Sequence, residues 1–453
     1  MFLLDYFTDP ILRAPTLATL LMGITSGLVG LLVFLRRESL LGETLSHATF
    51  PGALIGLWIA HLVGLESEQL AEMATTLSFS ALSALLAIFL VHALRREWQL
   101  SSDAALCFVL ALTFGIGVTL ATGLQQAYPS LYRKATALLY GQAATMVDLH
   151  IYLYGTLALL TSLLLLLFYK ELQTASFDRS YAASIGIPLL FIDSLLFLLI
   201  VTAVVMGIRT VGVVLISAML IAPPVAARQC SDRLSVIFLL SPLFGAISAF
   251  FGIYISHELS LHWQQPEAVA SRAPLILPTG PTIVVTAASF SFLALLVAPR
   301  RGLLIRLQRV ARFRFGCLQE NILKYIWRNR LQEGASRSEL ADYMGQWSGI
   351  IALAAWRLRC RSLLSSNGPT GFYELTPAGI CEAEKIVRLH RLWELYLVND
   401  VGLGAARVHR SAEEMEHLIT PEIERKLTEL LNNPRSDPHN QPIPSPSTQQ
   451  RRP

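Results

Sequence analysis

Two stretches of the chain carry an acid and a histidine four residues apart, which suits metal binding. The first pair is Glu43 and His47, within GETLSHATFPG. On a helix, side chains four apart lie on one face, so the pair could offer an oxygen and a nitrogen ligand. Ionisable groups inside a membrane usually mark a substrate path. The spacing fits a capped helix end in a cytoplasmic loop equally well, because Arg36 and Arg37 are close. Pro51-Gly52 predicts a helix break just beyond.

The second set of candidate ligands lies near the carboxy end. His390 and Glu394 are four apart on a helix that Thr376-Pro377 is predicted to begin, with Thr as cap and Pro at the first helical position. The next predicted helix carries four more on one face: His409, Glu413, Glu416 and His417. Histidines and carboxylates converging there favour a cation, and ligands without thiolate suit Mn²⁺, Fe²⁺ or Zn²⁺. The alternative is a solvent-exposed face whose acids pair with Arg407 and Arg410.

The elements around the first pair are predicted membrane helices. The 453 residues are 53% hydrophobic and 15% charged, with a mean hydropathy of +0.51. Runs of roughly 17 to 25 apolar residues can cross a bilayer as helices, which pair all their own backbone groups. About nine spans are predicted: Thr16–Leu35, Pro51–Val63, Met73–Leu94, Ala104–Thr122, Ile151–Tyr169, Leu189–Val205, Val211–Ala227, Leu234–Ser256 and Thr282–Ala298. The predicted fold is an all-α polytopic membrane domain followed by a soluble part.

Three features of the apolar half refine this prediction. Pro223-Pro224 is expected to interrupt its helix near the cytoplasmic end. Asp193, near the start of its span, is interpreted as a satisfied end group. The moderately apolar Ala135–His150 is expected to form either a re-entrant segment or a packed interfacial helix.

The stretch Val297–Cys317 separates the two parts of the chain. It contains six arginines and no acidic residue. Arginines at the end of an apolar run stay on the cytoplasmic side, so everything after this stretch is predicted to be cytoplasmic. The formal charge of +4 is too small to imply a nucleic-acid partner by itself. The five cysteines show no paired spacing, so neither a disulfide framework nor a zinc knuckle is indicated.

Four segments of the apolar half resemble, in the same order, the permease subunits of zinc/manganese/iron ABC transporters. They are LRRESLLGETLSHATFPGALIG, LLYGQAATMVDL, SFDRSYAASIGI and VGVVLISAMLIAPPVAA. The resemblance implies that Glu43 and His47 coordinate metal in the translocation path. In that family the acid is commonly Asp, and Glu43 is one methylene longer.

The same resemblance implies partners. The region Phe177–Ile187 is similar to the cytoplasmic coupling helix, whose contacts with an ATPase would come from Phe177, Asp178, Ala183 and Gly186. The chain lacks the phosphate-binding motif G-x-x-x-x-G-K-[ST], so a separate cytosolic ATPase subunit must hydrolyse ATP and the chain is not expected to be an enzyme. A second permease subunit and a periplasmic metal-binding protein complete the expected importer.

The cytosolic half has the pattern of a winged helix-turn-helix. Leu318–Arg330 is predicted as a helix, and Ser336 and Glu339 form a capping box that begins another. A third helix follows over about Gly349–Leu364, and Asn367-Gly368 predicts a tight turn between two short strands. This order is typical of DNA-binding modules, although three-helix domains often bind only protein.

The region after it resembles the metal-sensing and dimerisation domain of the diphtheria-toxin-repressor-like metalloregulators. The resemblance rests on VRLHRLWELYLVNDVGLGAARVHRSAEEMEHLITPEIERKL and DPHNQPIP. It implies a homodimer, operator DNA as partner, and Fe²⁺ or Mn²⁺ as the favoured metal, with Zn²⁺ as a further candidate. Its implied metal ligands are Glu413, Glu416, His417 and His390, with Glu394 and His409 in a second site.

Two departures from that family bear on DNA binding. Asn321 stands where the family has an acidic or Met ligand on the first helix. The third helix carries Ile350, Leu353 and their apolar neighbours where polar side chains usually meet DNA. Direct base readout is therefore in doubt, while Arg357, Arg359 and Arg361 could hold phosphates.

Together the two halves resemble the permease–repressor fusions of chlamydiae. The predicted domains are a permease over 1–299, a basic linker over 300–316, a winged helix over 317–375, a metal-binding and dimerisation domain over 376–432 and a disordered tail over 433–453. We expect a multi-pass inner-membrane importer of a divalent metal whose cytoplasmic part represses genes, released by a cut within Arg300–Phe315. The alternative is a cytoplasmic part that gates the permease in place and needs no DNA.

Overall fold

The chain folds into two compact units, Met1–Ile305 and Arg306–Pro453. A computed structural model describes residues 4–65, 68–263, 277–299, 301–329, 334–367, 372–402 and 420–445. The described part of the first unit is helical, and its helices are α1 Asp5–Thr8, α2 Pro10–Arg36, α3 Ser39–Leu62, α4 Gln69–Arg96, α5 Ser102–Ala127, α6 Pro129–Tyr140, α7 Asp148–Leu167, α8 Tyr169–Phe177, α9 Arg179–Ser184, α10 Leu189–Thr210, α11 Ile216–Cys230, α12 Leu234–Trp263 and α13 Thr279–Val297.

Seven helices of the described residues are long and apolar enough to cross a membrane, namely α2, α4, α5, α7, α10, α12 and α13. The prediction of about nine spans counted two more. The run over Val211–Ala227 is the 15-residue α11, which begins only at Ile216. The run over Pro51–Val63 is the second half of α3, a 24-residue helix that begins at Ser39. Both helices contribute to the buried core of the unit. The helix α11 is shorter than a full span, and α3, although long enough, is not among the helices apolar enough to be one.

The expected helix breaks at the prolines are wrong. Pro51 lies inside α3, and Pro223 and Pro224 lie inside α11. A helical proline removes the amide donor of the carbonyl four residues earlier, here the carbonyls of His47, Met219 and Leu220, and hydroxyl groups bond to other carbonyls close by. Near Pro51, Ser83 Oγ donates to the Ala48 carbonyl at 2.6 Å and Thr49 Oγ1 to the Ser46 carbonyl at 2.5 Å. Near the proline pair, Ser291 Oγ donates to Ala222 O at 2.6 Å.

The segment predicted as re-entrant or interfacial contains the end of α6 and a short 3-10 turn, Ala143–Thr145. It packs against the connection between α10 and α11, where Gly141 and Gly212 lie against each other. Both glycines adopt positive φ, +74° and +98°. A Cβ on Gly212 would lie 2.3 Å from the Leu139 carbonyl oxygen, so only glycine allows this approach. The Gln142 amide also donates to the Arg209 carbonyl at 2.9 Å.

The basic stretch lies largely in one helix, α14, which spans Leu303–Arg328. The helix runs without a break across residue 317, where the sequence suggested a boundary between linker and soluble domain. Its later part supplies Ile322, Leu323 and Ile326 to the core of the second unit.

The second unit confirms the winged helix order. After α14 come β1 Ala335–Ser336, α15 Arg337–Met344, α16 Ser348–Cys360, β2 Leu364–Asn367 and β3 Phe372–Leu375, with antiparallel strands in the order β1-β3-β2. The Ser336–Glu339 capping box is present at the start of α15. Thr376 caps α17, Pro377–Asn399, as predicted, and α18 spans Pro421–Leu430.

Candidate metal sites and their supporting contacts

Glu43 and His47 lie one turn apart on α3, inside the first unit. His47 is 8% exposed and Glu43 is half-buried, so the pair does not belong to a cytoplasmic loop. The His47 ring packs edge-on against Phe114 of α5, with 4.7 Å between ring centroids. Its Nδ1 is buried and has no hydrogen-bond partner among the described residues. A buried imidazole nitrogen without a partner is costly, which makes it a candidate ligand atom.

The other polar side chains on this part of α3 are satisfied within the protein. Thr44 Oγ1 donates to Leu40 O at 2.8 Å, and Ser46 Oγ donates to Val213 O. Across the described residues, no group of three or more His, Cys, Asp or Glu side chains could hold a metal ion. The two side chains alone would not complete a tetrahedral or octahedral coordination shell.

A cavity of about 530 Å³, which no sequence pattern indicated, lies among α3, α4, α6, α7 and α10. Its charged lining residues are one acid and three bases: Glu72, Arg133, Lys134 and Arg209. Lys134 Nζ lies 2.5 Å from Glu72 Oε1, so the remaining charge is positive. Neither Glu43 nor His47 lines it. A positive lining repels a divalent cation, which distinguishes this cavity from the Glu43–His47 pair.

A cluster of opposite charges joins α9 to two membrane helices. Asp193 of α10 accepts from Arg36 Nη1 of α2 at 2.7 Å and from Arg179 Nη2 of α9 at 2.8 Å. Arg36 Nε also donates to Ser176 Oγ of α8 at 3.3 Å. The bond to Asp193 raises the pKa of the Arg179 guanidinium above its ordinary value. The interpretation of Asp193 as a satisfied end group is confirmed, but the sequence did not identify its partners.

The residues predicted to contact an ATPase lie around α9. Phe177 is 65% exposed, and Asp178 caps α9 by accepting from the Tyr181 amide at 2.9 Å. Ala183 and Gly186 are also exposed, and Gly186 has φ +81°. The segment thus presents an exposed surface, anchored to α10 through Arg179 and Asp193.

At the sensor region, the structure describes one of the two predicted ligand groups. His390 and Glu394 are buried on α17, with side chains 1% and 2% exposed, and His390 Nε2 lies 3.1 Å from Glu394 Oε1. An imidazole and a carboxylate in this arrangement fit the nitrogen and oxygen donors that Mn²⁺, Fe²⁺ and Zn²⁺ accept. The other predicted ligands, His409, Glu413, Glu416 and His417, lie outside the described residues.

Two arginines of α17, one buried and one largely buried, bond to residues nearer the carboxy terminus. Arg388, 5% exposed, donates to Glu424 Oε1 at 3.1 Å, to Thr428 Oγ1 at 3.1 Å and to the Pro444 carbonyl at 2.8 Å. Arg391 Nε lies 3.4 Å from Asp437 Oδ2. Described residues up to Pro444 are thus bound to the α17 core, although the sequence predicted disorder from residue 433.

The predicted phosphate contacts, Arg357, Arg359 and Arg361, are all exposed at the end of α16. The Arg357 guanidinium lies over the Phe315 ring, 5.9 Å from its centroid. The exposed face of α16 carries Leu353 and Trp356, 55% and 60% exposed. As the sequence indicated, the exposed face of α16 carries apolar side chains, and the three arginines lie at the end of the helix.

Comparison with known proteins identifies both halves. Residues 8–298 match the ABC 3 transport family, and residues 376–445 match the iron dependent repressor, metal binding and dimerisation domain. A probable metal transport system membrane protein of Chlamydia pneumoniae is 37% identical over 448 residues, covering 97% of this chain and 98% of that protein. The zinc transport system membrane protein TroC of Treponema pallidum is 35% identical over 318 residues, covering 70% of this chain and 98% of TroC.

Among solved structures, PsaBC from Streptococcus pneumoniae in complex with Fab matches with a TM-score of 0.55 and 25% identity, over 66% of this chain and 96% of that one. The expected alternative, an in-place gate without DNA binding, is not favoured by these matches. The chain belongs to the ABC 3 transport family, as a multi-pass inner-membrane permease that carries an iron dependent repressor-type metal binding and dimerisation domain on its cytoplasmic side.

Proposed function

We propose that the permease carries a divalent transition metal, with Fe²⁺ or Mn²⁺ favoured and Zn²⁺ a further candidate, past Glu43 and His47. The observation that carries this proposal is the buried His47 Nδ1 without a partner among the described residues, one helical turn from a carboxylate. The relatives named for zinc, manganese and iron transport support the substrate class without distinguishing the metal.

The remaining ligands would come from a second permease subunit. Glu43 and His47 supply two donors, and no third His, Cys, Asp or Glu completes a metal-binding group among the described residues. Two copies of the pair would provide four donors, which suits an ion that must also leave the site. A periplasmic metal-binding protein would deliver the ion, and a cytosolic ATPase docked on Phe177, Asp178, Ala183 and Gly186 would drive the cycle.

Metal uptake by cells that express the complete importer tests the role of the pair. Glu43→Ala or His47→Ala should abolish uptake, because each removes a donor atom from the path. His61→Ala, which changes the other histidine of α3, is the matched control and should retain uptake. Normal uptake by the Glu43/His47 double variant, at equal membrane abundance, would reject the assignment.

For the cytoplasmic half we propose a dimeric repressor that binds operator DNA when metal is plentiful. The buried His390–Glu394 contact on α17 and the winged helix order support it. Arg357, Arg359 and Arg361 would contact phosphates, which contribute affinity without base specificity.

Release from the membrane would let the repressor reach its operators, and the proposed cut lies within Arg300–Phe315. Proteases need an extended peptide, and α14 begins at Leu303. Within that stretch we place the cut beside Arg301, which lies before the helix, is about half exposed and pairs with Asp232, so this turn must open before cleavage. Blotting with an antibody to the carboxy terminus should show a fragment of about 15 kDa, as expected for a domain of this length. Detection of the full-length form alone, at every metal level, would reject release.

A further inference from the structure

The first half of α14 presents an apolar face that no described part of the protein covers. Leu303, Leu307 and Val310 follow one another at helical spacing and are 43%, 54% and 43% exposed, and the adjoining Leu304 is 52% exposed. None of them belongs to a hydrophobic core cluster of the described residues. From α14, the core of the second unit takes residues only from Phe315 onwards.

The opposite side of the same helical turns is basic. Arg306, Arg309 and Arg312 are spaced three apart, so they share one side of the helix, and all three are exposed. No salt bridge involves them among the described residues, and the first acidic residue of α14 is Glu320. A helix with an apolar side and an arginine side suits the boundary between lipid headgroups and acyl chains.

The position of this helix in the chain selects its partner. The membrane helix α13 ends at Val297, six residues before Leu303, so the membrane surface is within reach of α14. The arginines fit the anionic headgroups of the cytoplasmic leaflet, and the leucines fit the acyl region beneath them. Nucleic acid would use the arginines but would leave the leucines exposed to water.

We propose that Leu303–Phe313 is an interfacial helix that binds the anionic surface of the cytoplasmic leaflet. The contact is independent of transport and of metal sensing. A fragment cut before Leu303 keeps this helix, so its release into the cytosol also requires the helix to leave the lipid.

Trypsin sensitivity of the full-length protein in lipid nanodiscs tests the proposal, because trypsin cleaves after arginine when a helix opens locally, and a helix held in the lipid surface opens less often. Nanodiscs of phosphatidylcholine alone are compared with nanodiscs that also contain phosphatidylglycerol, and cleavage sites are identified by mass spectrometry. Cleavage after Arg306, Arg309 and Arg312 should be at least about tenfold slower with phosphatidylglycerol, and high salt should reduce the difference. Equal cleavage in the two lipids would overturn the proposal.

Two comparisons separate insertion of the helix from charge attraction. Arg357 and Arg359 are exposed on α16 and serve as internal reference sites, whose cleavage should not depend on the lipid. The double variant Leu307→Asn/Val310→Asn keeps every arginine and should lose the protection, whereas Leu353→Asn, an exposed leucine of α16, should keep it. Protection of the reference sites to the same degree, or undiminished protection in the double variant, would contradict an interfacial helix.

Discussion

Replacing Asp193 by Asn should separate ATP hydrolysis from metal uptake. Asp193 is the carboxylate that links α9 to α2 and α10, accepting from Arg36 at 2.7 Å and from Arg179 at 2.8 Å. The variant keeps the shape of the side chain but removes its charge, and its amide nitrogen must then face a guanidinium. If an ATPase acts through α9, this link carries the movement into the membrane helices.

The two bonds hold different helices to α10: Arg36 belongs to α2 and Arg179 to α9. The Arg36 side chain is only 6% exposed and Asp193 is 20% exposed, and breaking such a buried pair costs about 3 kcal/mol, the lower end of the usual range. The Arg179 side chain is 55% exposed, so its bond contributes about 0.2–1 kcal/mol. With a factor of ten for each 1.4 kcal/mol, the ratio of joined to separated states should fall about 100-fold for α2 and α10, and at most about fivefold for α9 and α10.

The assay measures ATPase activity and metal uptake in the same proteoliposomes, with the complete importer. Asp193→Asn should retain ATP hydrolysis and lose most uptake. The matched control is Asp148→Asn, which removes the bridge between Arg13 and Asp148 at 2.6 Å, where both side chains are about half exposed. That bridge is worth less than about 1 kcal/mol, so the control should transport normally. Equal uptake by the two variants, at equal abundance, would show that transport does not depend on the bonds of Asp193.

Three further predictions concern the cytoplasmic unit. Arg388→Ala removes three hydrogen bonds that join α17 to Glu424, Thr428 and Pro444. It should lower the free energy of unfolding by about 3 kcal/mol, measured by denaturant titration of the unit. An unchanged midpoint of the titration would contradict this. Glu394→Ala should weaken metal binding at least about tenfold by calorimetry, and unchanged affinity would remove Glu394 from the site. Ser336→Ala loses one capping bond and should lower the free energy of unfolding by about 1 kcal/mol. Its metal affinity should be unchanged, and a loss of metal binding would contradict separate roles for α15 and α17.

The sequence predicted local features well where one residue type determines them. The cap at Thr376, the Ser336–Glu339 capping box and the order of helices and strands in the winged helix all follow from short-range chemistry. Glu43 and His47 could also be placed on one helix face, because that depends only on their spacing. What the spacing could not decide was whether that face lies in a loop or in the core.

The features that the sequence did not predict depend on contacts distant in the chain. Pro51 remains inside α3, which continues to Leu62, and Ser83, far away in sequence, donates to the Ala48 carbonyl close to it. Asp193 accepts from Arg36, which lies 157 residues away in the sequence, and no periodicity in the sequence indicates such a pair. The helix α14 crosses an expected boundary because basic composition indicates the side of the membrane and not the local conformation.

The most direct test of the account is metal uptake by the reconstituted importer with His47→Ala in place of the wild-type permease. The chain with its ATPase, its second permease subunit and the metal-binding protein should accumulate radioactive ⁵⁵Fe²⁺ or ⁵⁴Mn²⁺ in vesicles when ATP is present. The His47→Ala variant should assemble and hydrolyse ATP but accumulate no metal. Accumulation at the wild-type rate would contradict the central claim that metal passes the Glu43–His47 pair.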